Sequence, residues 1–370
     1  MKIAFINGSL SWGGLELNQV KNALWMQESG HDVVVFGQLR SRTEEFCLEN
    51  NLKFIPILPH KKYYDFSAAN RLRKLLKKFD IEHVVIRHVN DMSLCAIAKY
   101  WGRSKFKLHY FMEMQLGVSK KNLLHTLRFS QLDTWNAPLP WLKSQVLNKT
   151  RFNPSNITEI PSAVDTSQFF QDLPKTMARK LLGIESEAII VGIAGRFDPQ
   201  KGQLLLLKAI KNHLKKPVEV LFLGETTYNE GNAYFDELKD FILREGMSTQ
   251  IYFRSFRKDI EVFYKAIDAF VMASKAESIG MVTIESMLSG TPVIGSNSGG
   301  TRELLQDGKM GFLFDPENAE SLGETIEIFC QNPSKFSEEE LRKSVQHFDK
   351  KQVLPQIEKR FQQTASKKFS

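Results

Sequence analysis

Short β-branched and aromatic runs alternate with longer amphipathic stretches along nearly all of the 370 residues, and no other feature constrains the fold as much. Strands separated by helix-length segments cannot pair as hairpins. They need crossover connections, which produce parallel sheets covered by helices. In the first half the pattern predicts strands at Lys2–Asn7, Asp32–Phe36, His83–Arg87, Phe106–Phe111 and Thr134–Asn136. Leu17, Val20, Leu24 and Trp25 place one apolar face on a helix over Leu15–Ser29. The second half repeats the theme, with strands expected at Ala188–Ala194, Val218–Leu223, Gln250–Phe253, Asp268–Met272 and Pro292–Ile294.

Ile160-Pro161 and Leu173-Pro174 interrupt the alternation, placing a domain boundary near 165–180. The expected fold class is α/β, with two doubly wound Rossmann-like domains, 1–170 and 171–345, facing across a cleft at their strand carboxyl ends. A tail, 346–370, continues a helical stripe of Leu341, Val345, Phe348, Val353, Ile357 and Phe361, and Pro355 permits a bend in it. Periodicity leaves two readings of this tail: packing back on the first domain, or a plain terminal core helix.

Composition narrows the function. Cys47, Cys95 and Cys330 are far apart, with no CxxC pair and no histidine cluster at ligand spacing, which argues against a disulfide framework or structural zinc. Met1-Lys2 leads directly into an apolar strand too short for a signal peptide, and no uncharged stretch approaches the roughly 20 residues of a membrane span. The expected location is therefore cytoplasmic, with peripheral contact at the inner leaflet of the membrane left open. Residues 1–180 hold 26 Lys and Arg against 15 Asp and Glu, a net +11; the remainder holds 24 against 27, a net −3, giving the chain's +8. Lys61-Lys62-Tyr63-Tyr64, the run from Arg71 to Lys78, and Arg103-Ser-Lys-Phe-Lys107 mix cations with aromatics and leucines. Such a surface fits an anionic bilayer or a phosphorylated acceptor, and equally a plain solvated face. Nucleic acid is not expected as a partner, since no sheet face with stacking aromatics is identifiable. A dinucleotide dehydrogenase is excluded because Gly8-Ser-Leu-Ser-Trp-Gly13-Gly14 does not supply GxGxxG after the first strand.

Two segments carry chemistry. Gly195-Arg-Phe-Asp-Pro-Gln-Lys-Gly202 lies between a buried strand and a helix expected over Gln203–Asn212. Helix-terminal amides, the Arg196 fork and the Lys201 point charge together suit a diphosphate. Alone, the segment also reads as a surface turn with two cations. Glu277-Ser-Ile-Gly-Met-Val-Thr-Ile-Glu285 places two carboxylates across a loop-to-helix junction, with Gly280 permitting close backbone approach. Carboxylates suit polyhydroxylated ligands because each accepts several hydroxyl hydrogen bonds. A helix, a glycine cap, the strand near Pro292 and the Gly299-Gly300-Thr-Arg-Glu303 helix start follow.

The span from Glu277 to Glu303 resembles the signature of the retaining glycosyltransferases of family 4, which have the GT-B fold. Gly13-Gly14-Leu15-Glu16 is similar to that family's first glycine loop. Ile160-Pro-Ser-Ala-Val-Asp165 with Phe169 resembles its interdomain segment, with Ser-Ala in place of Asn-Gly. The resemblance implies a hexosyltransferase moving a hexose or N-acetylhexosamine from a nucleotide-diphosphate sugar, a UDP-sugar favoured, to a glycan or lipid-linked acceptor of the cell envelope or lipopolysaccharide. It assigns Arg196 and Lys201 to the diphosphate, Glu277 to the sugar hydroxyls and Glu285 to the ribose. The backbone around Gly195, Ile279, Gly280 and Met281 would contact sugar or phosphate. Gly13 and Gly14 would admit the diphosphate from the opposite domain. No cofactor or metal is expected, because cations and helix termini would perform the electrostatic work; no DxD motif is present, and Asp65, Asp80 and Asp91 are scattered singles. The family's histidine near the anomeric centre has two possible counterparts, His109 inside a strand and Glu113 just past it, and His88 could equally face an acceptor. Two rival readings remain at this stage: an epimerase of the same fold and a non-enzymatic sugar-nucleotide binder.

Overall fold

A computed structural model of the chain describes residues 1–102, 105–170, 172–214, 217–226, 232–275 and 277–366. These form two compact units, Met1–Val164 with Phe348–Ser370, and Asp165–His347.

The first unit holds a seven-stranded sheet of β1 (Lys2–Asn7), β2 (Asp32–Gly37), β3 (Lys53–Pro56), β4 (His83–Ile86), β5 (Lys107–Phe111), β6 (Thr134–Asn136) and β7 (Ile157–Thr158). All pairings are parallel, in the order β3-β2-β1-β4-β5-β6-β7. The central strands are near-continuous apolar runs because helices cover both faces, as parallel sheets require. Succession reverses between β1 and β4, so the crevice at their carboxyl ends is the place where such a sheet takes ligands.

Sequence reasoning missed β3 and β7. Lys53-Phe-Ile-Pro56 is an edge strand with exposed ends and a closing proline, and Ile157-Thr158 is two residues long, so neither carries a buried strand's pattern. Asn136 fixes the region by donating to the Ile160 carbonyl at 2.7 Å and accepting from the Ile160 amide and the Thr158 hydroxyl at 2.8 Å each.

The basic helix Phe66–Lys78 corrects one expectation. Leu72 and Leu76 are buried rather than interleaved with the surface cations, so the exposed face carries Arg71, Lys74, Lys77 and Lys78. In the run from Arg103 to Lys107 the first two residues lie outside the described residues, and Lys107 lies 3.7 Å from Asp133.

The chain returns to this unit with the helix Lys350–Ser366, which accommodates Pro355 in its second turn. Val353, Leu354, Ile357 and Phe361 join a core of Ile3, Phe5, Val33 and Val35, and Val164 bridges to Asp349.

The second unit holds β8 (Ile190–Ala194), β9 (Glu219–Leu223), β10 (Ile251–Arg254), β11 (Ala269–Met272), β12 (Val293–Ser296) and β13 (Phe312–Phe314), all parallel, in the order β10-β9-β8-β11-β12-β13. Here the reversal falls between β8 and β11. Only β13, three residues long, escaped the sequence pattern. The helix Glu338–Val345 starts with a capping box, Ser337 with Glu340.

Candidate functional site

In the second unit both chemistry-bearing segments leave the two strands that flank the reversal. Gly195 follows β8 with φ +146, and a Cβ on Gly224 would lie 1.9 Å from the Gly195 carbonyl oxygen, so these loops touch backbone on backbone. Asp198 accepts from the Gln200 amide at 2.8 Å and turns the chain through Pro199–Lys201. Gly202, at φ +75, then starts the helix Gln203–His213, and any Cβ there would sit 2.4 Å from the Ala273 carbonyl oxygen. That close approach presses the loop after β8 against the end of β11.

The result is a direct contact: Lys201 Nζ lies 3.0 Å from Glu277 Oε2, both side chains partly exposed. Arg196 points out with its side chain 54% exposed, 3.9 Å from Asp198, while its carbonyl accepts from Gln203 at 2.8 Å. Gly280, at φ +82, begins the helix Met281–Leu288, and neither this helix nor Gln203–His213 has a side-chain cap. Two helix N-termini thus offer amides and positive dipole ends beside a cation. Ile279 is buried as a side chain, so its contribution to a ligand is backbone only, and Met281 is half-buried. The Gly300 amide donates to the Glu277 carbonyl at 2.9 Å, and a Cβ on Gly300 would lie 2.6 Å from the Ser278 carbonyl oxygen.

Glu285 has a partner that sequence reasoning did not find. Tyr264, fully buried, donates its hydroxyl to Glu285 Oε2 at 2.9 Å. Burial, reinforced by the Glu285 charge, pushes the phenol well above its ordinary range, so it stays a donor.

In the first unit Gly13, in extended conformation, precedes the helix Gly14–Glu28 without a side-chain cap. A Cβ at Gly14 would meet nothing within 4 Å, and one at Gly13 only Glu16 at 3.6 Å, so the fold itself demands glycine at neither position.

His109 is corrected as a site residue. It lies within β5 and is fully buried; its Nδ1 is 2.8 Å from the Thr134 hydroxyl, its Nε2 is 3.0 Å from His83, and Phe361 packs on its ring at 4.2 Å. Burial pulls its pKa well down, and it is a neutral core histidine. Glu113 stands just beyond the end of β5, with Arg87 Nη1 on its Oε1, Ser162 donating to Oε1 at 3.4 Å and Asn18 to Oε2 at 3.5 Å.

Asp91 is no isolated aspartate. Its Oδ1 lies 2.8 Å from His60 Nε2, and its Oδ2 accepts from the Gly8 amide at 3.2 Å, with both side chains sealed. A Cβ on Gly8 would fall within 2.5 Å of both partners. His60 Nδ1 faces the Lys61 carbonyl at 3.2 Å, so both ring nitrogens face acceptors and the imidazolium is the form that fits. His88 accepts from the Asn90 amide at 3.2 Å. The sequence signal for this group was its position: Gly8, Arg87 and His88 directly follow β1 and β4.

A family model described as Glycosyltransferase Family 4 matches residues 12–168, and one described as Glycosyl transferases group 1 matches residues 175–351. A D-inositol 3-phosphate glycosyltransferase of Corynebacterium kroppenstedtii is 29% identical over 188 residues, 49% of this chain and 42% of that protein. The lipopolysaccharide core biosynthesis mannosyltransferase LpsB of Rhizobium meliloti is 30% identical over 178 residues, 47% of this chain and 51% of that one. The matches thus span about half the length of these relatives. HepE of Anabaena, solved in complex with UDP and glucose, shares the fold with a TM-score of 0.84 at 21% identity, over 97% of this chain and 98% of that one.

Proposed function

This chain belongs to glycosyltransferase family 4, and from that premise we propose that it is a retaining hexosyltransferase. Its second unit takes a nucleotide-diphosphate sugar, and its first unit takes a glycan or lipid-linked acceptor. One observation carries the reading: the Lys201–Glu277 contact at the β8/β11 reversal, beside two uncapped helix N-termini. The donor inserts between the two side chains. Lys201 and Arg196 take the diphosphate and stabilise the charge that grows on it, while Glu277 accepts the sugar hydroxyls. The anomeric carbon exchanges its bond to the diphosphate oxygen for one to the acceptor hydroxyl oxygen on the same face, and the hydroxyl proton leaves with the diphosphate. Glu285, oriented by Tyr264, holds the ribose. With His109 in the core, Glu113 is the carboxylate that meets the acceptor.

A UDP-sugar is the favoured donor, supported by the UDP and glucose bound to HepE, and an envelope or lipopolysaccharide glycan the favoured acceptor, supported by the relationship to LpsB. Transfer runs without an added divalent cation, because Lys201, Arg196 and the helix termini already supply the positive field. Activity abolished by EDTA and restored by magnesium would overturn this. The first unit carries 29 Lys and Arg against 15 Asp and Glu, a net +14, and the second a net −6. That imbalance, with Tyr63, Tyr64 and Trp101 exposed and Leu123, Leu124 and Leu127 exposed on a neighbouring short helix, supports docking of the first unit on an anionic leaflet. No helix among the described residues is long and apolar enough to cross a membrane.

The central test is Lys201→Ala. Loss of one charge-assisted contact to the leaving group costs on the order of 3 kcal/mol, about 100-fold in kcat. Near-normal turnover in this variant and in Arg196→Ala would refute the donor site.

A further inference from the structure

We propose that Arg87 is a positioning residue that holds the Glu113 carboxylate ionised and aimed, so that Glu113 receives a hydroxyl of a polyhydroxylated acceptor. The inference rests on the reading of the first unit as the acceptor-handling one. Arg87 directly follows β4 and Glu113 lies two residues beyond β5, so adjacent strands deliver both groups to the carboxyl end of the sheet, next to the β1/β4 reversal. Arg87 is 3% exposed and its guanidinium sits on Glu113 Oε1, 5.3 Å over the Phe111 ring. Its buried Nε has no hydrogen-bond partner among the described residues, and the contact of its Nη1 is with the carboxylate.

Stability alone does not account for such a pair. Taking two charges out of water costs more than their attraction usually returns, and apolar replacements are often neutral or better. Glu113 also keeps accepting capacity. Arg87 and Ser162 occupy Oε1, whereas Oε2 has, among the described residues, only the long 3.5 Å contact from Asn18, and a carboxylate offers about four lone-pair sites. Burial drives the Glu113 carboxyl above its ordinary range, and the Arg87 charge is the main force pulling it back. Tyr110 on β5 feels the Glu113 charge and is held neutral by burial and by that charge; Asn18 and Ser162, which contact Glu113, are uncharged.

The test compares Arg87→Met, Arg87→Lys and Glu113→Gln with the wild type. Acceptor-dependent kcat/KM is measured from pH 5 to 8 in all four proteins, and the Glu113 side-chain carboxyl is followed by 13C NMR in the wild type and the Arg87 variants. Arg87→Met should move the acid limb, and the carboxyl titration with it, upward by at least about one pH unit, the effect of removing an adjacent cation. Arg87→Lys should restore both most of the way, and Glu113→Gln should abolish the limb. The limb and carboxyl titration of Arg87→Met coinciding with those of the wild type would overturn the proposal. Unchanged acceptor use in Glu113→Gln would instead sink the acceptor role of Glu113. Should Arg87→Met fail to fold, Arg87→Gln decides: without the cation the limb and the carboxyl titration should still move upward, and no shift in either would overturn the proposal. The carboxyl titration reads out without turnover, so an inactive preparation still decides whether Arg87 sets the ionisation of Glu113.

Discussion

Glu277 and Glu285 are eight positions apart, yet the structure gives them different company. Glu277 faces a lysine that a phosphate would claim, whereas Glu285 is held by a buried phenol. Glu277→Ala should therefore impair transfer far more than it weakens binding of free nucleoside diphosphate. Glu285→Ala should weaken nucleotide binding, and Tyr264→Phe should do so more mildly, by about 1 kcal/mol for one lost hydrogen bond. Isothermal calorimetry with UDP checks this, and equal losses in the two glutamate variants would refute the division of labour. Lys201 and Glu277 were legible in the sequence because each lies in a compact motif beside its glycine. Arg87, Asp91, His60 and Tyr264 were not, because their partners come from other strands and loops: Glu113 for Arg87, His60 for Asp91 and Glu285 for Tyr264. Local patterning carries no record of which loops a parallel sheet brings together.

At the level of elements, the helix Lys350–Ser366 closes the first sheet by laying Phe361 on His83 and His109, with ring centroids 4.8 and 4.2 Å apart. Burial lowers the His83 pKa to about 4 and holds that of His109 well below its ordinary range. Both are neutral in the fold, whereas the unfolded chain protonates them below about pH 6.5. Their contribution is therefore complete above that pH and is lost as the pH falls below about 6.5; for His83 the loss runs down towards pH 4 and is on the order of 2 kcal/mol by pH 5. His60 behaves oppositely: its hydrogen bond to Asp91 raises its pKa, so its contribution is present below pH 6.5 and fades as the pH rises through the raised value. Histidine ring NMR should show His60 titrating above pH 6.5 and His83 near pH 4; midpoints near 6.5 for all three would contradict this packing. Phe361→Ala should cost about 3–5 kcal/mol in thermal unfolding of this unit. The stripe was readable from its period and its six apolar residues are buried, but Val353, Ile357 and Phe361 lie on the helix Lys350–Ser366, whereas Leu341 and Val345 lie on the helix Glu338–Val345 of the second unit. The core role of His109 was not readable, since a histidine in a strand looks the same whether its ring faces a ligand or a phenylalanine.

For the whole molecule, the alternation of strand and helix sufficed to expect two parallel, doubly wound sheets, and the three strands it missed are edge or near-minimal pieces. The charge imbalance belongs to this scale too. Four or five cations near an anionic surface contribute about 1 kcal/mol each at most, enough for reversible binding. Co-sedimentation with anionic vesicles should therefore fade with salt as the Debye length shortens. Reversing charge at the exposed Arg71, Lys74, Lys77 and Lys78 should release the protein while sparing nucleotide affinity. Equal sedimentation of variant and wild type would mean that this helix face is only solvated.

The first unit is assembled from two pieces of chain, Met1–Val164 and the segment beginning at Phe348, with the whole second unit inserted between them. During synthesis the second unit emerges with everything it needs. The first must wait with the apolar surface around Ile3, Val33 and Val35 uncovered until Val353, Ile357 and Phe361 have left the ribosome. Order of birth is thus the reverse of order of completion: the earlier-made sheet is the later one to close, and in that interval it is the client that a chaperone would meet.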